Sequence, residues 1–167
     1  MGVSLKKKTV LAWIRHGAAP AAAALFLFPS AFAADSLEHE LKSAYIYNFI
    51  RFVEWPPSAQ GDIVVCVAGP RPVVDEIRGG LSGKEIGDRA IRVRGAAAPV
   101  EVAGCEVLYV TGRDSAGARR FLAAVPRHKV LTITESDRFP ASGSLINFFL
   151  DNQTVRFAVN ADLLPKT

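Results

Sequence analysis

The chain has 167 residues, 50% of them hydrophobic, with 20 Lys and Arg against 16 Asp and Glu. The formal charge of +4 and the pI near 9.3 come from the amino terminus. Lys6, Lys7, Lys8 and Arg15 precede the first acidic residue, so from Ala34 onward the 16 remaining basic residues balance the 16 acidic ones. No basic tract or aromatic-basic array is left in that neutral part, which removes the electrostatic footprint of a nucleic-acid binder. Its length suits one domain with one core.

The three lysines are followed by a mostly apolar stretch, then Pro29-Ser30 and the small-residue pattern Ala31-Phe32-Ala33. This pattern is that of a secretory signal peptide cut after Ala33, so residues 1–33 are expected to be a leader and 34–167 the mature domain. A retained anchor is the alternative. The uncharged run 17–34 is only just long enough to span a bilayer, and it holds two prolines.

Next comes the stretch 41–56, LKSAYIYNFIRFVEWP. Leu37, Leu41, Tyr45, Phe49 and Phe52 recur at spacings of three or four, which predicts an amphipathic helix with those side chains facing the core. Lys42, Asn48, Arg51 and Glu54 fall off that stripe. Trp55-Pro56-Pro57 ends the helix, because the residue before a proline is driven out of the helical region.

Residues 63–68 form a short continuous apolar run, as expected of a strand buried on both faces. Residues 73–78 read as a short helix, with Pro72 near its start and Gly79-Gly80 past its end. Residues 90–94 alternate apolar and basic and predict an edge or half-exposed strand. Residues 107–110 and 130–133 predict two further buried strands. Between them lies a helix over 116–124 with Ser115 as its N-cap. Residues 145–150, an Asp151-Asn152 turn and residues 154–159 predict a closing hairpin. The order describes a compact α/β sandwich with a mixed, partly parallel sheet, Rossmann-like in layering, and a C-terminal β-hairpin. No Gly-x-Gly-x-x-Gly follows a strand, so the dinucleotide fingerprint is missing.

Chemistry is thin. His39 and His128 share no metal-ligand spacing with another His, Cys or carboxylate. Ser115 and Ser144 lack the context of a nucleophile elbow. Asp114, Glu135, Asp137 and Asp151 carry no spacing that requires an acid-base pair. The reading is of a non-enzyme with no metal or cofactor. Gly69, Thr111, Arg113, Thr134 and Asp137 each follow a predicted strand, where open α/β sheets form a ligand crevice. The same residue types also serve turns for their own backbone reasons. Cys66 and Cys105 sit at strand-like positions that neighbouring strands could bring together. In an oxidising compartment an even count points to a disulfide, and two buried thiols are the alternative.

The run ending in Glu54-Trp55-Pro56 resembles the opening motif of the YfiR-like family. So does the strand carrying Cys66-Val67-Ala68-Gly69, and so do Gly104-Cys105-Glu106-Val107-Leu108-Tyr109-Val110 and Val130-Leu131-Thr132-Ile133-Thr134-Glu135. Gly143, Ile146-Asn147-Phe148, Val155-Arg156-Phe157 and Asn160 resemble its closing hairpin. The matches run from Leu41 to Asn160, and their order and spacing carry the likeness. Two departures stand out. Family members usually continue into a further helix and a Ser-x-x-Leu-Leu ending, where this chain reads Ala161-Asp162-Leu163-Leu164. Some also carry a second cysteine pair near the last hairpin.

The resemblance implies a periplasmic regulator that engages the periplasmic part of an inner-membrane diguanylate cyclase or related sensor. Repression of that enzyme would lower cyclic-di-GMP signalling and biofilm formation. It supports the Cys66–Cys105 pairing, and leaves a homodimer open. A small-molecule-binding sensory module without a cyclase partner is the alternative. Phe139, an apolar residue beside Pro140 in a polar loop, is the expected partner contact.

Overall fold

The computed structural model describes residues 30–56, 60–112, 114–126, 128–137, 139 and 141–164, with side chains from Leu37 onward. The expected leader up to Pro29, Pro57, Arg113 of the expected crevice, and Pro140 lie outside the described residues. The elements in chain order are α1 (Ser30–Phe52), β1 (Ile63–Ala68), α2 (Arg71–Leu81), β2 (Glu85–Ile86), β3 (Arg89–Gly95), β4 (Val107–Val110), α3 (Ser115–Ala123), β5 (Leu131–Thr134), β6 (Ile146–Asp151) and β7 (Thr154–Val159). Helix α1 runs across the expected cut position. Among the described residues no helix is long and apolar enough to cross a membrane.

Seven strands form one sheet in the order β2-β3-β1-β4-β5-β6-β7. The five central strands run parallel, and β2 and β7 close the two edges antiparallel. The expected mixed α/β sandwich with a closing hairpin is therefore what the chain forms.

The period-2 alternation of each strand divides the core into two layers. Ile63, Val65 and Val67 of β1 join Val107, Tyr109, Ile133 and Phe148 beneath α1 and α2. Cys66 and Ala68 join Leu108, Val110 and the α3 residues Ala118 and Leu122 on the opposite face. Continuous apolar strands such as 63–68 follow directly from having helices on both sides.

Five local expectations differ from the structure. The stripe of α1 is rotated: Ile46 and Ile50, with Ser43, are the fully buried positions, while Leu37, Leu41 and Phe52 are exposed. Lys42, expected off the core face, is buried. Helix α2 extends through Gly79 and Gly80 to Leu81 instead of stopping before them. A Cβ at Gly80 would lie 2.5 Å from Ser43 Cβ, so the glycine lets α2 approach α1 closely. The N-cap of α3 is Asp114 rather than Ser115, its carboxylate accepting from the Ala116 and Gly117 amides. The turn of the hairpin falls on Asn152 and Gln153, at φ 49° and 62°. Two left-handed residues match the twist of a two-residue hairpin.

Candidate functional site: the carboxyl edge of the sheet

Strands β1, β4 and β5 are neighbours and parallel, so the loops after them share one edge. The chain passes from β1 out to β3 and then back across to β4, which makes the β1/β4 gap the point where the strand order reverses. Ligand crevices of open α/β sheets open there. In this chain that gap is filled. A Cβ at Gly69 would lie 2.2 Å from Thr111 Oγ1 and 3.1 Å from Thr111 Cβ, so the threonine packs directly on the glycine backbone. The Thr111 amide also donates to Ala68 O at 2.9 Å.

Two of the expected crevice residues, Gly69 and Thr111, are thus brought together, in contact with each other. Thr134 is fully buried and faces inward. Its hydroxyl donates to Asn147 Oδ1 at 2.8 Å and lies 2.7 Å from Ser144 Oγ. The same Asn147 oxygen accepts from the Ser136 amide at 2.7 Å. Thr134 therefore ties the β5 loop to β6 and takes no part in a crevice. Asp137 does line a cleft, shifted one strand along the edge. That cleft has a volume of about 170 Å³ and is walled by Glu38, Lys42, Glu135, Asp137, Phe148, Phe149 and Leu150. Phe139 is half-buried, so it is less open than an apolar loop tip would be.

The centre of this cleft is a charge cluster that sequence reasoning did not find. Lys42, only 4% exposed, sits with Nζ 2.5 Å from Glu38 Oε1 and 2.6 Å from Glu135 Oε1. The Tyr109 hydroxyl donates to the same Glu135 oxygen, and the Gly112 amide donates to Glu135 Oε2 at 3.0 Å. Burial acts to raise the Glu135 carboxyl. The neighbouring Lys42 charge, with the bonds from Lys42, Tyr109 and Gly112, outweighs it and holds the group below its ordinary value. Burial first, and then the Glu135 charge, pushes the Tyr109 hydroxyl well above its ordinary value, so it stays a donor.

One carboxylate thereby links α1, β4, the β4–α3 loop and the β5 loop. The arrangement holds the charges of Glu38, Lys42 and Glu135 against one another. Two signals pointed to it: Lys42 lies on the same helix face as Glu38 at i,i+4, and Glu135 follows a buried strand.

The disulfide is on the opposite layer. Cys66 in β1 and Cys105 just before β4 are bonded, with Cα atoms 5.9 Å apart. Arg94 of β3 covers them, Nε 3.2 Å from Cys66 Sγ and Nη2 3.5 Å from Cys105 Sγ. The Arg94 Nη2 also donates to Ala103 O at 2.5 Å. His39 of α1 has Nδ1 2.5 Å from Glu76 Oε2 of α2. Among the described residues no three His, Cys, Asp or Glu side chains group as a metal site requires.

A family model described as YfiR/HmsC-like matches residues 39–167 of the chain. No curated protein matches it.

Proposed function

The chain belongs to the YfiR/HmsC-like family, and from that premise we propose that it is a periplasmic regulator, secreted through a leader cut after Ala33. It binds the periplasmic part of an inner-membrane diguanylate cyclase or related sensor, represses it and so lowers cyclic-di-GMP. The observation that carries this reading is the family match over residues 39–167. It is supported by a site whose charged groups are already paired with one another, an arrangement suited to holding a shape and ill suited to turning over a substrate. Regulation then works by differential affinity. The domain shifts the receptor only as far as it binds the repressed state more tightly than the active one.

The loop that carries Phe139 lies beside the charge cluster and presents the receptor contact. Glu135 pins the preceding residues, so the loop leaves β5 from a fixed point. The Cys66–Cys105 bond restrains β1 against β4 in the oxidising compartment.

The test is affinity capture. The oxidised secreted protein is mixed with detergent-solubilised inner membranes of its own host, and retained proteins are identified by mass spectrometry. One receptor with a cytoplasmic cyclase domain is expected. Phe139→Asp should reduce its recovery with little change in thermal midpoint, and a large loss of stability would make Phe139 a core residue instead. A second reading, a small-ligand sensor without a cyclase partner, is favoured by the open cleft between Lys42, Asp137 and Phe149. Folded protein that retains no receptor would move the weight to it.

A further inference from the structure

Charge is unevenly divided along the chain. Residues 34–88, which supply most of α1 and all of α2, hold nine acidic and five basic residues. Residues 89–129, which supply β3, β4 and α3, hold eight basic and three acidic ones. The fold turns this division into two sides, because α1 and α2 cover one face of the sheet and α3 covers the other.

On the α3 side the cations are linked through one groove. Ala118 and Leu122 are the buried positions of α3, and Arg119 and Arg120 are exposed. Arg120 is one turn from Ala124. Ala124 lines an apolar groove of about 290 Å³ together with Val102, Ala103, Val125 and Lys129. Arg94 reaches the same groove from β3, its guanidinium donating to Ala103 O. A 3-10 turn, Pro99–Val102, lies against α3, and Val100 stands out from it, 81% exposed. The three acidic residues of this part are engaged: Glu101 accepts from the Ala97 amide, Glu106 holds Arg89, and Asp114 caps α3. Arg92 is held by Asp62. Arg94, Arg119, Arg120 and Lys129 meet no carboxylate among the described residues.

We propose that this α3 face docks on an anionic phospholipid surface. In the periplasmic reading given above, that surface is the outer leaflet of the membrane that holds the receptor. The four cations come from β3, α3 and the loop before β5, and they do not converge on one pocket. A spread array of cations suits a spread array of phosphates. Each Lys or Arg near such a surface strengthens binding by about fivefold. The acidic residues of the α1 and α2 side do not cancel this. A domain of this length has a radius of gyration of about 14 Å, while charges in physiological salt are screened over about 8 Å. Val100 is placed to enter the headgroup layer beside the cations. Docked in this way, the sheet lies along the membrane and its carboxyl edge, with the Phe139 loop, faces sideways. Confinement to the receptor's own surface then raises the effective concentration of the regulator without any new contact.

Flotation of the oxidised, secreted chain with vesicles tests this. Phosphatidylcholine vesicles with about 30% phosphatidylglycerol should carry the protein at about 0.05 M salt, and phosphatidylcholine alone should not. Raising the salt to about 0.5 M should release it, because screening then acts over about 4 Å. Arg120→Gln combined with Lys129→Gln removes two exposed cations and should weaken binding about 25-fold, with an unchanged far-UV spectrum and thermal midpoint. Arg71→Gln combined with Lys84→Gln removes the same charge from the opposite side, where Lys84 lies over the Tyr47 ring of α1. That pair should leave binding within about twofold of the wild type. No flotation with the anionic vesicles at low salt would overturn the proposal. So would equal flotation with both lipid mixtures, or equal loss in the two double variants. A protein that ignores vesicles, yet loses receptor capture with Arg120→Gln and Lys129→Gln, would overturn it too and would give this face to the receptor. The vesicle results hold whether or not the receptor is a cyclase, so they stand or fall apart from the regulatory reading.

Discussion

Replacing Lys42 by Met removes the one cation of the buried cluster while preserving most of its length and apolar stem. Glu135 is left with a charge that only the Tyr109 hydroxyl and the Gly112 amide offset. Breaking a buried pair from one side typically costs about 3–5 kcal/mol. Those two remaining donors, and the partial exposure of Glu38 and Glu135 at 26% and 17%, place the expected loss near the lower end, about 3 kcal/mol. For a domain stable by roughly 5–15 kcal/mol that is a large fraction. In urea titrations followed by circular dichroism, with a slope of about 2 kcal/mol per molar, the midpoint falls by about 1.5 M. The companion Glu135→Gln, added to Lys42→Met, removes the stranded charge, keeps one acceptor oxygen for the Gly112 amide and turns its NH2 to the Tyr109 hydroxyl, which can accept. It should raise the midpoint again. A loss below about 1 kcal/mol, the range of exposed ion pairs, would refute the claim that the cluster is a buried structural centre. A double variant no more stable than Lys42→Met would refute its charge logic.

Acid should act through the same carboxylate. A folded-state value held below the ordinary one contributes stability above the ordinary carboxylate pKa of about 4.3, and that contribution is lost as pH falls through the lowered value. Unfolding free energies measured from pH 7 to pH 3 should decline less steeply in Glu135→Gln than in the wild type, and parallel declines would contradict this. Replacing both cysteines by alanine opens a loop with a sequence separation of 39, which chain entropy values at about 4 kcal/mol. A change under about 1 kcal/mol in denaturant would show that residual structure already restrains that loop in the unfolded chain. Gly69→Ala drives a Cβ into Thr111 and should cost about 1–3 kcal/mol. Thr111→Ala in the same chain should recover most of it, and failure to do so would mean the glycine serves its backbone instead.

The strands were legible because helices cover both faces of the sheet. Residues 63–68 and 107–110 read as continuous apolar runs, and two strand-like runs on either side of a polar turn read as the hairpin. Strand β2 has two residues, Glu85 and Ile86, too few for any period to register. Helix α1 misled for a geometric reason. Leu37, Leu41, Tyr45 and Phe49 do form one line, but a helix lying across a sheet edge has part of that line over the edge, and Ile46 and Ile50 carry the core contact. Gly79 and Gly80 have the look of a stop signal, yet Gly80 is where α2 meets Ser43.

The site was the least legible part. A lysine at position 42 is a surface residue by every local rule. Only the meeting of α1 with the β5 loop, 93 residues away in sequence, makes it the centre of a cluster. Gly69, Thr111 and Thr134 lie at the carboxyl ends of parallel strands, as sequence order alone requires. Whether the gap is open depends on Thr111 filling it, which no spacing reveals.

The most direct test of the regulatory account is the cyclic-di-GMP content of the native host. It would be compared with the gene deleted, and with the deletion complemented by the wild-type chain or by Phe139→Asp. The account predicts that deletion raises cyclic-di-GMP, that the wild-type chain restores it, and that the variant restores it only in part. Unchanged cyclic-di-GMP on deletion, in cells that produce and export the protein, would contradict the account.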